Sequence, residues 1–164
     1  RQKMGLLTDS FFITALRSNT ELVAQLPAGD FYNNVAYPDA DMENVQLPYI
    51  IVNNDGGNNV EETKDDNFEG TVDNVAISIR VVARSRQELA DMVLAVRETV
   101  HDYITAAAER NEAGTGTGDD NLCPEDYNFS FSEVANDMQK PSFTQILNYQ
   151  CRTSNDIFDD DDNE

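Results

Sequence analysis

The imidazole and thiol side chains of this 164-residue chain, the usual source of acid–base and soft-metal chemistry near neutral pH, are one histidine, His101, and two cysteines, Cys123 and Cys151. Acid–base work needs an oriented, partly buried group, and His101 falls on the predicted exposed side of a long helix with no partner at usable spacing. Cys123 and Cys151 lack the spacing of a zinc-binding pair and read as free, partly buried thiols. The GTGTG run at Gly114–Gly118 resembles a phosphate loop only in its glycines. It lacks the Lys-Ser/Thr pair, follows a helix rather than a strand, and precedes Asp119 and Asp120, which would repel phosphate. Asp65, Asn67 and Glu69 alternate ahead of Gly70 like the first half of a calcium loop. The bidentate glutamate required at position twelve is replaced by Ala76. No spacing places two carboxylates together, so a carboxylate-pair enzyme has no support in the pattern. The expectation is a non-enzyme with no cofactor and no specific metal site.

The charge is more informative. With 31 acidic and 11 basic residues the net charge is −20 and the pI about 4.1. Such a surface repels nucleic-acid phosphates and anionic membranes. Segments 53–70, 119–126 and 153–164 hold fifteen of the twenty excess negative charges, all in stretches that read as loops or tail. The acidity is therefore expected on what the fold displays. No apolar run approaches the ~20 residues of a membrane span and no signal-peptide pattern is present, so the setting reads as cytoplasmic.

The elements that must present these charges follow from periodicity. Thr8, Asp9 and Ser10 offer caps for a helix over 10–26, stopped by Pro27-Ala28-Gly29. Residues 31–37 read as a short strand. LPYIIVN, 47–53, carries apolar residues at both parities and reads as a strand covered on both faces. Residues 53–70 form a polar arm, either a loop or an extended hairpin. Val75, Ile77, Ile79 and Val81 share one strand face, with Ser78, Arg80 and Arg84 on the other. Ser85 to Glu88 fits a capping box, and Leu89, Met92, Val93, Val96, Val100, Tyr103 and Ile104 then make a helical stripe. Residues 111–121 read as a flexible linker. Tyr127, Phe129 and Phe131 alternate as a strand, and 142–152 is the last strand, ahead of an acidic tail at 153–164.

The order predicts a single α+β domain over 1–152: a largely antiparallel or mixed sheet of about five strands, two main helices packed on it, and an arm between strands two and three. Strand edges and arms are common means of building assemblies.

The Gly29-Asp30-Phe31-Tyr32 strand, the Leu47-Pro48-Tyr49-Ile50-Ile51-Val52 strand, the unit from Val75 to Ile104 and the aromatic strand Phe143 to Cys151 together resemble the tail-completion family of long-tailed bacteriophages and prophages, the tail terminators or minor tail proteins. The resemblance runs over most of 8–152. It implies a structural virion protein made in the host cytoplasm. It would close a ring, usually a hexamer, on the head-proximal end of the tail tube. That ring stops tube polymerisation and offers a surface for head–tail joining, with DNA passing through without specific binding. Implied partners are further copies, a tail-tube protein and a neck or connector protein. A neck or tail adaptor protein is the nearest alternative. An acidic module for a basic protein or calcium is an alternative of another class. The arm residues Asp55, Gly56, Gly57, Glu61, Glu62, Asp65 and Asp66 are expected to touch a neighbouring subunit or the tube. Arg80, Arg84 and Arg86, gathered near one strand end, are expected to meet an acidic segment of this chain or the next.

Overall fold

The computed structural model describes residues 4–34, 46–60, 72–139 and 141–154, with the side chains of 4–6 and 154 excepted. Among the described residues there are three α-helices and six strands, and the class is α+β with a mixed sheet and one main core between sheet and helices.

The first helix, α1 (Met4–Arg17), starts earlier and stops sooner than the expected 10–26. Thr8, Asp9 and Ser10 lie inside it rather than capping it. Thr8 is fully buried, and the Asp9 carboxylate accepts from Asn34 Nδ2 at 2.7 Å. Asp9 is thus committed to a tertiary contact and not to the helix's orphan N–H groups. The break comes from Asn19. Its Oδ1 accepts from Leu22 N at 3.1 Å to cap a second helix, α2 (Thr20–Ala24), and its Nδ2 donates to Thr99 Oγ1 at 2.9 Å. Between Phe11 and Leu16 only Thr14 is not fully buried, since α1 sits between the sheet and the long helix.

The strands are β1 (Tyr32–Asn33), β2 (Tyr49–Asn59), β3 (Val72–Ala83), β4 (Asp126–Phe131), β5 (Ala135–Asp137) and β6 (Ser142–Ser154). Their order is β1-β2-β3-β6-β4, with β5 beside the other half of β6. β1 runs parallel to β2 and every other pair is antiparallel. The expected strand over 31–37 is described only as the two residues of β1; 35–37 lie outside the described residues. The sixth strand, β5, is exposed at all three positions and carries no alternation to betray it.

Val75, Ile77, Ile79 and Val81 face the helices as expected, beside Cys151, Tyr149 and Leu147 of β6. They meet Phe11, Phe12 and Leu16 of α1 and the stripe of α3 (Arg86–Glu112) from Leu89 to Ile104. Each large apolar side chain so buried contributes about 1.5–3 kcal/mol. β2 is covered on both faces: Ile50 and Val52 enter this core, while Tyr49 and Ile51 join Val82 in a second cluster on the opposite face, backed by Tyr32 and Leu47.

Ser85 caps α3, its Oγ accepting from Glu88 N at 3.1 Å. Glu88 does not return to the Ser85 amide, as a capping box would have it. Its Oε1 accepts from Arg84 N at 2.9 Å, one residue further back.

Residues 111–121, read as a flexible linker, are instead an organised helix exit. Gly114 at φ 75° is the left-handed residue after the helix. Its N–H reaches Asn111 O and the Thr115 N–H reaches Arg110 O, the paired bonds of a glycine-terminated helix. A 3₁₀ helix, Gly118–Leu122, follows, with its own Asp120 buried. β6 extends through the first two residues assigned to the tail, and 155–164 lie outside the described residues.

Candidate functional site

The residues expected at an interface divide between two ends of the sheet. At one end, β2 and β3 form the stem of the arm, closed at its last described rung by the Val60 N–H on Val72 O at 2.8 Å. Asn54 opposes Ile77, but Gly57 opposes Val75, so β2 holds one extra residue at Asp55-Gly56. This is a β-bulge. Gly56 adopts φ 86°, and a Cβ on Gly57 would run into the Asn74 carbonyl. Glu61, Glu62, Asp65 and Asp66, with the calcium-like run 65–70, lie outside the described residues.

Arg84 and Arg86 lie at the far end of β3, roughly 30 Å from the bulge at ~3.3 Å per residue. Arg84 meets an acidic group of its own chain, since its Nη2 lies 2.6 Å from Glu88 Oε2. The guanidinium holds the Glu88 carboxyl below its ordinary range, chiefly through that hydrogen bond. Arg86 is exposed on the first turn of α3.

Arg80 lies between the two ends, on the sheet face opposite α1 and α3. Its strand neighbours are Ile51 and Ile146. Its Nε is buried and has no hydrogen-bond partner among the described residues. Arg152 shares this face, opposite Asn74 and Asp126. Val82 and Ile146 make the face apolar beside Arg80, and further along it carries uncharged polar side chains, among them Ser78, Asn148, Gln150, Asn128 and Ser130.

Two grooves were not anticipated. One, of about 530 Å³, runs beside the arm stem and is lined by Asp9, Asn34, Asn54, Asn58, Asn59 and Asp73. Asn34 organises it from a left-handed conformation at φ 55°, donating to Asp9 and accepting from the Asn54 N–H at 2.8 Å. The asparagine density of the sequence is its one advance signal. Its amides and carboxylates can exchange hydrogen bonds with a polar ligand or a peptide backbone. The other, of about 400 Å³, separates α3 from β4. There Arg97 lies over Phe129 at 4.6 Å from the ring centre, and His101 Nδ1 pairs with Tyr127 O–H at 3.0 Å. Leu94 and Phe131 flank it, more than half exposed.

Burial raises the thiols, Cys123 to about 11 and Cys151 to about 12, so both are protonated at neutral pH. Among the described residues, no three His, Cys, Asp or Glu side chains converge as a metal site. The acidity is not confined to loops: Asp55 and Asp126 lie exposed on strands, while Asp120 is buried and paired with Arg110. No family model and no curated protein matches the chain.

Proposed function

We propose that the chain is a structural subunit that closes a ring on the end of a phage tail tube, stops tube growth and offers a surface for head–tail joining. The observation that carries this reading is the arm stem. β2 continues well past the short β1, so the outer edge of Asp55 to Asn59 has no strand along it among the described residues. β4 leaves a second edge, on the other side of the sheet, with no strand along it among the described residues. A fold with two unlike edges can join head to tail, and such contacts make rings when the rotation closes. The α+β class and the resemblance carried by the LPYIIVN strand and the β3–α3 unit support the same reading.

Electron microscopy and light scattering on the full chain, alone and with tail-tube protein from the same genome, test it. Rings are expected, alone or on tube ends, with shorter or uniform tubes when the chain is present. A chain that stays monomeric and leaves tube length unchanged overturns the reading. Replacing 61–71 with Asn-Gly, a two-residue hairpin turn, should weaken assembly while the fold persists. Undiminished assembly would remove the arm from the account.

A further inference from the structure

The arm stem offers a backbone edge. Residues Asp55 to Asn59 are all exposed, and β1 stops short of them. The Val60 N–H bonds inward to Val72 O at 2.8 Å. By the alternation of an antiparallel ladder, the backbone N–H and C=O of Gly57 and Asn59 then turn outward, with no strand beside them among the described residues. Such a row is a template for one more extended chain. Gly56 and Gly57 put no side chain in the way of a second backbone.

The groove of about 530 Å³ adjoins this edge: Gly57 and Asn59 line it, and so do Asp9 and Asp73. A strand seated on the edge carries alternate side chains to the groove's side of the sheet. Charge selects the occupant. The Asp9 carboxylate is fixed by Asn34 Nδ2 at 2.7 Å, and a carboxylate has room for further donors. Asp55, exposed in the bulge, adds another negative charge, and no Lys or Arg occurs among the described residues from 46 to 79. With the whole chain at −20, the field over this edge draws in cationic segments and turns away acidic peptides and polyphosphate.

We infer that the outer edge of β2 at Gly57 to Asn59 seats an extended segment of a partner protein whose alternate side chains are lysine or arginine. The segment adds as a strand, its backbone paired with Gly57 and Asn59 and its cations set among the carboxylates of Asp9, Asp55 and Asp73. The ring reading uses the same edge. The site stands without that reading; only the competition between such a segment and the next copy rests on it.

Fluorescence anisotropy on the full chain tests this with labelled peptides: lysine alternating with valine, the same peptide with proline for its central valine, and the same with glutamate for lysine. The lysine–valine peptide should bind, less tightly at high salt. The proline peptide keeps the charge but cannot complete the ladder, and should bind about tenfold more weakly. The glutamate peptide should not bind. Asn59→Pro removes an outward N–H while keeping the inward backbone bonds of the stem, and should also cost about tenfold. Asp55→Asn should cost about threefold, and the control Asp91→Asn, exposed in the second turn of α3, nothing. Melting curves report the fold, and if Asn59→Pro fails to fold, the proline peptide on wild type carries the test. Equal binding of the lysine–valine and proline peptides, or equal losses at Asp55 and Asp91, would reduce the contact to general attraction by an acidic surface and overturn the site. Light scattering separates the site from the ring. Rings from a chain that binds no peptide even when diluted to monomers would overturn the site and leave the ring reading standing. Peptide binding by a chain that never forms rings would uphold the site and remove the ring. Rings that dissolve at saturating peptide would uphold both.

Discussion

Arg110 and Asp120 meet in parallel at the foot of α3, with Nε on Oδ2 at 2.8 Å and Nη2 on Oδ1 at 2.7 Å. The Thr117 N–H adds a third bond to the carboxylate at 3.1 Å, and Asn111 Nδ2 binds the Asp120 carbonyl at 2.6 Å. Asp119, next in line, accepts from Thr14 Oγ1 at 2.8 Å and ties the same turn to α1. Asp120→Ala should therefore lower stability by about 1–3 kcal/mol, leaving donors unsatisfied on both sides. Asp119→Ala removes one bond and should cost about 0.5–1.5 kcal/mol. Urea midpoints decide the order, and a smaller loss at Asp120 would mean that the pair does not hold the turn.

The same pair sets a pH dependence. Hydrogen bonds from arginines hold Asp30, Glu88 and Asp120 below their ordinary values. The unfolded chain then binds more protons than the folded one around and below pH ~4. The stabilisation is present above the unfolded values and is lost as pH falls through the lower folded ones. Urea midpoints between neutral pH and pH ~3 should fall on acidification, and Asp120→Asn should flatten that decline. A midpoint indifferent to pH in this window would contradict the pairing.

The two thiols should report unfolding. Cys151 is almost wholly buried, and Cys123 Sγ lies against Ile104 O at 3.6 Å. With both raised to about 11 or 12, little thiolate exists at pH 8. Maleimide labelling should be slow in the folded chain and rapid in urea. Fast labelling of both cysteines without denaturant would refute their placement.

The bulge gives a positional test. Gly57→Ala would force a methyl group into the Asn74 carbonyl, so the stem must open. Stability should fall by about 1–3 kcal/mol, with faster amide exchange at Asn58 and Asn59. At Asp55, exposed beside it, alanine should be neutral within about 0.5 kcal/mol. Equal effects at both positions would argue against the close approach of β2 and β3.

How much of this was legible follows from the range of the interactions. The unit from Val75 to Ile104 could be read because its alternation, its stripe and the Ser85 cap are local patterns. The helix start could not, because Asp9 signals a cap as strongly as it signals a bond to Asn34, twenty-five residues away. Likewise, Gly, Thr and Asp between 111 and 121 describe a linker by composition alone. That Asp119 reaches Thr14 is a tertiary fact. Of the site, the sequence placed Arg80 and Arg84 on one strand face. It could not say that Arg84 would be satisfied by the Glu88 of its own cap while Arg80 would find no acceptor in the described chain.

The place of β6 has a consequence for how the chain is made. β6 lies between β3 and β4, and its ladder with β3 runs from Ala83 opposite Phe143 to Val72 opposite Ser154. An emerging polypeptide can wind α3 early, since helices close local loops. The sheet cannot gain its inner strand until residues near 154 have left the ribosome. Until then the inward faces of Ile77, Ile79 and Val81 lack their neighbours Tyr149 and Leu147, and β3 presents an unpaired edge. The sheet therefore forms only once the whole of β6 is available, and a chain truncated before Phe143 is expected to aggregate rather than form a smaller domain.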